Sequence, residues 1–280
     1  MYTLGNGVFF GQRTVTVTSN AEPARRRRLA LLSGERWATP ITVLGLVAVV
    51  QIASMIAPPY IMPSPLTILE TLYGVLTTET LDVVATLVRL LIALACSLVI
   101  GTLLGVIMAM VSPVRPYLRA LIVIDTGIPA VSWILVAVFW FKNPEHRIFF
   151  ILLVILVPFY ALNILDGIRA MPKDWVEMYE SFRPSRWQVF RYLIYPHIVP
   201  YILMTTKSVF GYATRMIIFA ELIGAAVGAG ARMGMAQATF HMDAVLAWTV
   251  LLVAFTLVAQ YSVELLERRM LKWRPEAELR

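Results

Sequence analysis

Runs of about twenty apolar residues recur along the chain, and that length matches a bilayer hydrocarbon core of roughly 30 Å. Six runs read as membrane-spanning helices: Ile41–Ala57, Val83–Val111, Leu121–Phe141, Ile148–Ile168, Ile198–Val227 and Val245–Leu266. The 280 residues are 59% hydrophobic and 15% charged, against about 25% charged in soluble domains. An ordinary soluble enzyme is thereby excluded, and the fold class expected is an all-α polytopic membrane protein. A net charge of +7 would suggest nucleic acid in a soluble chain. Here the useful question is which loops hold the cations, and no nucleic-acid partner is expected. The single cysteine, Cys96, lies inside an apolar run, forms no internal disulfide and reads as packing.

The first run is short and borrows Trp37, Ala38 and Thr39 to reach both interfaces. Residues 1–36 are polar apart from Val8–Phe10 and Leu29–Leu32, include Arg25–Arg28, and are expected to form a mobile basic tail. No cleaved signal is expected, because the first apolar run starts near residue 40 without a small-residue cleavage pattern behind it. The six spans would lie within a domain of residues 37–274, followed by a short tail, 275–280. With the N-terminus inside the cell, eighteen Lys and Arg fall on inside segments and three, Lys142, Arg147 and Arg232, on outside ones. That asymmetry predicts cytoplasmic N- and C-termini.

Catalytic signatures are missing. There is no Gly-Lys pair for a P-loop, no H-E-x-x-H and no C-x-x-C, so the chain is expected to hydrolyse no nucleotide itself. His146, His197 and His241 sit on different loops, which predicts no metal site. The outside connection Pro58–Asp82 opens with Pro58, Pro59, Pro63 and Pro65 and then reads as a short amphipathic helix, Leu66–Leu76.

The longest inside connection, residues 171–197, carries a pattern. Trp175, Met178, Tyr179 and Phe182 fall at i, i+3, i+4 and i+7, one face of a helix. Trp187, Phe190 and Ile194 form a second face, with Pro184 between the two. Two short amphipathic helices joined by a tight turn follow. They either lie on the lipid headgroups or plug their aromatic faces into a groove on a cytoplasmic partner.

This hairpin resembles the cytoplasmic coupling loop of importer-type ABC permeases. Glu177 matches the opening acid of their motif, Ser185-Arg186-Trp187-Gln188 the segment after the turn, and Tyr195-Pro196 with Pro200 its close. Three further landmarks resemble the nitrate/sulfonate/taurine branch of that family: Met62-Pro63-Ser64-Pro65-Leu66 its "LPSP" segment, Ala220-Glu221-Leu222-Ile223-Gly224-Ala225 its "AELLGA" segment, and residues 266–274 its "LERRLLRWR" end. Four landmarks stand in order over residues 60–274. The chain departs from the motif where Met178 and Tyr179 replace two alanines and Arg183 replaces a glycine. An arginine before proline is pushed towards extended geometry, so the turn is expected to be built differently.

The resemblance implies a six-helix permease subunit of an ABC importer in the cell (inner or plasma) membrane, forming a pore with a second copy or a paralogue. It implies a cytoplasmic ABC ATPase dimer that binds ATP and Mg, and an extracytoplasmic solute-binding protein that delivers a small anion such as a sulfonate, taurine or nitrate. No cofactor would reside in this chain. Glu177, Phe182, Arg183, Ser185, Arg186, Trp187 and Phe190 would couple the hairpin to the ATPase.

Ionisable residues inside spans are functional candidates, since one at mid-bilayer costs about 2.5–3.5 kcal/mol on insertion scales. Lys207, Arg215 and Glu221 share the fifth span and are the candidate pathway residues. Arg215 either faces an anion pathway or pairs with an acid such as Asp166 or Asp125 on another helix. Lys207 can snorkel to the interface. Arg215 and Glu221, six residues apart, do not share a helical face, and Arg89 reads as structural. Gly224, Gly228, Gly230 and Gly234 are expected to break the fifth helix beside a cavity, for packing or as a gate. Gly101 and Gly105 permit close helix approach. The competing class is a self-sufficient secondary transporter or channel, which would need an intramembrane coupling-ion site and usually shows inverted repeats; none is visible between residues 41–141 and 148–266. A membrane enzyme acting on lipid would need clustered His or carboxylates at an interface, and Asp166, Asp174 and Glu177 are too few, with no histidine partner expected nearby.

Overall fold

Helices account for the chain wherever apolar runs required them. The structure is a computed structural model and describes residues 21–271. In order the helices are α1 (Ala21–Ile56), α2 (Pro65–Thr78), α3 (Thr80–Met110), α4 (Arg115–Gly127), α5 (Ala130–Trp140), α6 (Pro144–Arg169), α7 (Lys173–Ser181), α8 (Arg186–Gln188), α9 (Tyr195–Gly224), α10 (Ala229–Ala238) and α11 (Met242–Met270). A π-helical segment, Val189–Ile194, joins α8 to α9, and no strand occurs among the described residues. The chain divides into two units, Met1–Ala53 and Ser54–Arg280.

Three helices, α3, α6 and α11, are each long and apolar enough to cross a membrane, and two bent pairs, α4 with α5 and α9 with α10, bring the total to as many as five. The remaining expected span, Ile41–Ala57, coincides with the apolar end of α1, Pro40–Ile56, which is shorter. The expected tail is already helical from Ala21; residues 1–20, the expected tail 275–280 and the end of the 266–274 landmark lie outside the described residues.

One expected span is corrected. Leu121–Phe141 is not one straight span but α4 and α5 bent by 95°. Pro129 explains the corner: it lacks an amide and crowds the residue before it out of the helical region. Ile128 is accordingly extended, with φ −82° and ψ 126°.

α6 is the axis of the second unit. Ile151, Leu152, Leu156 and Tyr160 from α6 are fully or almost fully buried against Leu90 and Ala93 of α3, Ile134 and Ala137 of α5, and Phe210, Ala213 and Ile217 of α9. α3 reaches α6 closely because two glycines face it. A Cβ on Gly101 would meet Tyr160 Cβ at 2.5 Å, and one on Gly105 would meet the Ala161 carbonyl at 2.8 Å. A smaller core of Val75, Ala229, Trp248 and Leu252 ties α2, α10 and α11 together, and Thr71 of α2 donates to Asp243 of α11 at 2.9 Å. The Pro-Ser-Pro segment has a local reason: Ser64 is the N-cap of α2, accepting from the Thr67 amide at 3.2 Å, and Pro65 occupies the first turn.

Because α9 runs unbroken for 30 residues, about 45 Å at 1.5 Å per residue, it separates two ends of the bundle. The hairpin of α7 and α8 lies at one end, and the α9–α10 break lies at the other, called the far end below.

Candidate functional site

At the hairpin end, α7 stops at Ser181 and the chain turns through Arg183 and Pro184 into α8. Ser185 and Gln188 form a reciprocal capping box: the Ser185 amide donates to Gln188 Oε1 at 2.7 Å, and the Gln188 amide donates to Ser185 Oγ at 3.3 Å. The Tyr179 hydroxyl crosses the hairpin to donate to the Gln188 carbonyl at 3.2 Å. Between these anchors Arg183 has φ +47°, so it is not extended as expected. It takes the left-handed geometry that glycine adopts without penalty. The cap on one side and the Phe182 amide bond to the Tyr179 carbonyl (3.2 Å) on the other fix the corner, and an arginine held there carries strain.

The hairpin splits its aromatic residues between inside and outside. Ile194 is buried with Val106, Ile164 and Ile198, and Val189 and Phe190 pack against that cluster. Trp187 stacks on Phe190 with ring centroids 5.7 Å apart. Trp175, Met178, Phe182 and Trp187 are exposed, Phe182 and Trp187 by 77% and 65%. Glu177 is exposed without hydrogen bond or ion pair among the described residues; the Arg186 side chain lies outside what is described. The π-helical turn precedes Pro196 and Pro200, whose missing amides weaken the start of α9. His197 Nε2 lies 3.0 Å from the Gly167 carbonyl and so ties this junction to α6.

At the far end a polar network is built inside the bundle. Glu221 is fully buried. It accepts from the Thr86 hydroxyl at 2.9 Å, from Arg89 Nη1 at 2.8 Å and from the Gly230 amide at 3.0 Å. Arg89 also holds both oxygens of Glu145 on α6, through Nε at 2.7 Å and through Nη2, and donates to the Val227 carbonyl at 2.7 Å. Asp82 accepts from the Gly228 amide at 2.7 Å and from Arg232 Nε at 2.8 Å. Thr86 accepts from the Ala229 amide at 2.8 Å. Arg147 of α6 closes two helix ends, donating to the carbonyls of Gly224 and Phe141 at 3.0 Å.

The middle of α9 presents a free stripe. Met204, Ser208, Arg215 and Phe219 are exposed and Gly211 and Tyr212 half-buried, at the spacing of one helical face. On the α6 side a cleft of about 330 Å³ is lined by Asn163, Tyr201, Ser208 and Tyr212, among others. On the α11 side a groove of about 470 Å³ holds Arg215 with Thr249, Thr256 and Gln260, and Met233 of α10 forms part of its wall. Arg215 has no ion pair or hydrogen bond among the described residues, and neither Asp125 nor Asp166 reaches it. Lys207 is paired with Glu264 of α11 at 3.2 Å. Of the three candidate pathway residues, then, Glu221 sits in the far-end network, Lys207 in an ion pair, and Arg215 alone on the free stripe.

Both the sequence and the overall fold are shared with known proteins. Residues 101–272 match the family described as "Binding-protein-dependent transport system inner membrane component". The chain belongs to this family. It is 27% identical over 259 residues to the taurine transport system permease protein TauC of Escherichia coli (strain K12), covering 90% of this chain and 92% of that one. It is 30% identical over 155 residues to the putative aliphatic sulfonates transport permease protein SsuC of the same organism, covering 55% and 59%. A solved bacterial ABC transporter involved in the import of the acidic polysaccharide alginate shares the fold at TM-score 0.61 and 16% identity, over 87% of this chain and 96% of that one. The protein is an ABC importer permease of the taurine, sulfonate and nitrate branch, a family of transport subunits rather than enzymes.

In this permease the "AELLGA"-like segment has a physical content: Ala220 and Gly224 are small and buried, and Glu221 supplies the network's central carboxylate. Asp82, Thr86 and Glu145 were missed by sequence reasoning. A signal existed, since Asp82, Thr86 and Arg89 fall at i, i+4 and i+7 at the start of α3, a polar face in an otherwise apolar span. Replacing Arg183 by glycine should relieve the left-handed strain of about 1–2 kcal/mol, less the added chain entropy of glycine. Hydrogen exchange of amides 175–190 should slow by about fivefold for each 1 kcal/mol gained; unchanged or faster exchange would show that the corner carries no strain.

Proposed function

We propose that this permease conducts a small oxyanion of the sulfonate, taurine or nitrate kind along the free stripe of α9, with a second copy or a paralogue closing the open side. The observation that carries the reading is Arg215, an exposed cation without a partner among the described residues, two turns from Ser208 on a helix that with α10 is long and apolar enough to cross a membrane. Facing lipid it would cost about 2.5–3.5 kcal/mol; facing a water-filled passage it is hydrated and attracts an anion. The groove around Arg215 includes Thr256 and Gln260 among apolar residues such as Phe219, Met233, Val253 and Leu257, and the cleft on the α6 side adds Asn163, Ser208 and Tyr212; these hydroxyls and amides suit an oxyanion's acceptor oxygens. Outside that groove α11 exposes Val250 and Val258, as lipid contact requires. The names of the taurine, aliphatic sulfonate and nitrate permeases support the same substrate class.

The hairpin end is then cytoplasmic, in keeping with its arginines and lysines, and both termini lie on that side. Trp175, Met178, Phe182 and Trp187 leave the chain as an aromatic surface awaiting a groove, and the partner that fits is an ATPase subunit binding ATP and Mg. Glu177 meets a basic residue there. A solute-binding protein delivers the anion at the far end. ATPase closure would move the hairpin, and with it α9, as a rigid body.

Two outcomes test this reading. Arg215→Gln should raise the KM for uptake of the transported anion at least tenfold while the complex still assembles; an unchanged KM would remove Arg215 from the passage. Changing Trp187 and Phe190 together to Ala should release the ATPase or uncouple hydrolysis from uptake, since losing a buried aromatic anchor costs about 2 kcal/mol or more. Full uptake with undiminished ATPase association in that variant would leave the hairpin as a surface feature only.

A further inference from the structure

The glycines around the α9–α10 break invite a reading as a hinge, yet their surroundings argue otherwise. Gly228 lies against the Glu221 carboxylate, and Gly230 lies against the Ile218 carbonyl, so closely that a side chain at either would collide. Gly228 also has φ +127°, a conformation glycine adopts without penalty. Space and one backbone angle therefore account for these residues, with no need for mobility.

The amides at the start of a helix have no partner within it. In α10 three consecutive ones, Gly228, Ala229 and Gly230, are each taken by a side chain: Asp82 and Thr86 of α3 and Glu221 of α9. Arg232, one turn on, returns to Asp82, and Arg89 takes the Val227 carbonyl inside the break. Arg89 then links Glu221 to Glu145, so α3, α6, α9 and α10 meet in one set of bonds. Asp82, Thr86 and Glu221 are buried, where each bond is shielded from water and a broken one leaves an unsatisfied group. α10 in turn carries Met233, part of the wall of the Arg215 groove.

We infer that Asp82, Thr86, Arg89 and Glu221 are positioning residues for transport: they hold α10 against α3 in every state of the cycle. The glycine break is a fixed corner, not a gate, and the Met233 wall keeps one position relative to Arg215. What the groove carries rests on the passage reading above; the rigidity of the corner does not.

The test uses the full chain with Cys96→Ala, carrying Val83→Cys and Ala229→Cys, whose parent residues line one small cavity of about 50 Å³ between α3, α10 and α11. Disulfide formation, or bridging by a short bifunctional thiol reagent, is measured first in the permease alone in nanodiscs. It is then measured in the assembled complex, without nucleotide and trapped with ATP and vanadate. Yields should be high and agree within twofold in all three. Adding Arg89→Gln should lower the yield at least fivefold or make it depend on the nucleotide state. A low yield in the parent pair, or a fivefold change between nucleotide states, would mean that α10 moves and would overturn the inference; an unaltered yield with Arg89→Gln would overturn the role given to Arg89. A second pair, Val83→Cys with Met233→Cys, reads the same motion if the first disturbs folding. None of these yields requires a transported substrate, so they are independent of the Arg215→Gln uptake result.

Discussion

The far end of the permease depends on the pairing of Glu221 with Arg89 inside the bundle. A carboxylate shut away from water is tolerated only if its charge and lone pairs are met, and here a guanidinium, a hydroxyl and a backbone amide meet them. Arg89 also reaches outward to α6 through Glu145 and to the break through Val227. α10, the break after α9 and the start of α6 all meet this one pair, with Asp82, Thr86 and Arg147 completing the bonds around it. Hydrophobic packing sets the spacing of the helices, through Gly101 and Gly105 against α6, but gives no reason for a helix to stop at Gly224 and resume at Ala229.

With that end fixed, the other features divide the work along α9. The hairpin is joined to α9 through a π-helical turn and anchored by Ile194, while its larger aromatic residues stay outside. Between the two ends the free stripe mixes Met204 and Phe219 with Ser208 and Tyr212, and Arg215 is its one charge. The proposed mechanism needs this arrangement: a rigid rod with a coupling surface at one end, a fixed corner at the other and an anion contact between them.

Much of this was legible in the residues. The apolar runs announced the helices, the spacing of Trp175, Met178, Tyr179 and Phe182 announced the hairpin, and Ser64-Pro65 marked the start of α2 by its capping chemistry. Local rules failed where one local signal was masked by another and where partners lay far away in sequence. Pro129 sits in a run apolar enough to read as a single span, and only its effect on Ile128 reveals the corner. Arg183 precedes a proline and so reads as extended, yet a capping box after it and a bond from Phe182 before it hold φ positive. Glu221 read as a pathway residue because a lone acid in a span has no partner in its own helix; its side-chain partners lie 132 and 135 residues away in sequence, on α3.

The central claim is that the Arg89–Glu221 pair holds the far end together, and a double-mutant cycle on unfolding of the purified permease in detergent tests it most directly. Arg89→Met and Glu221→Gln should each be strongly destabilising, by about 3–5 kcal/mol when one partner of a buried pair is removed. Together they should cost less than their sum by roughly 2 kcal/mol or more, since the second change relieves the group the first left unpaired. Costs that add to within about 0.5 kcal/mol would show that the two residues act independently and would contradict the account.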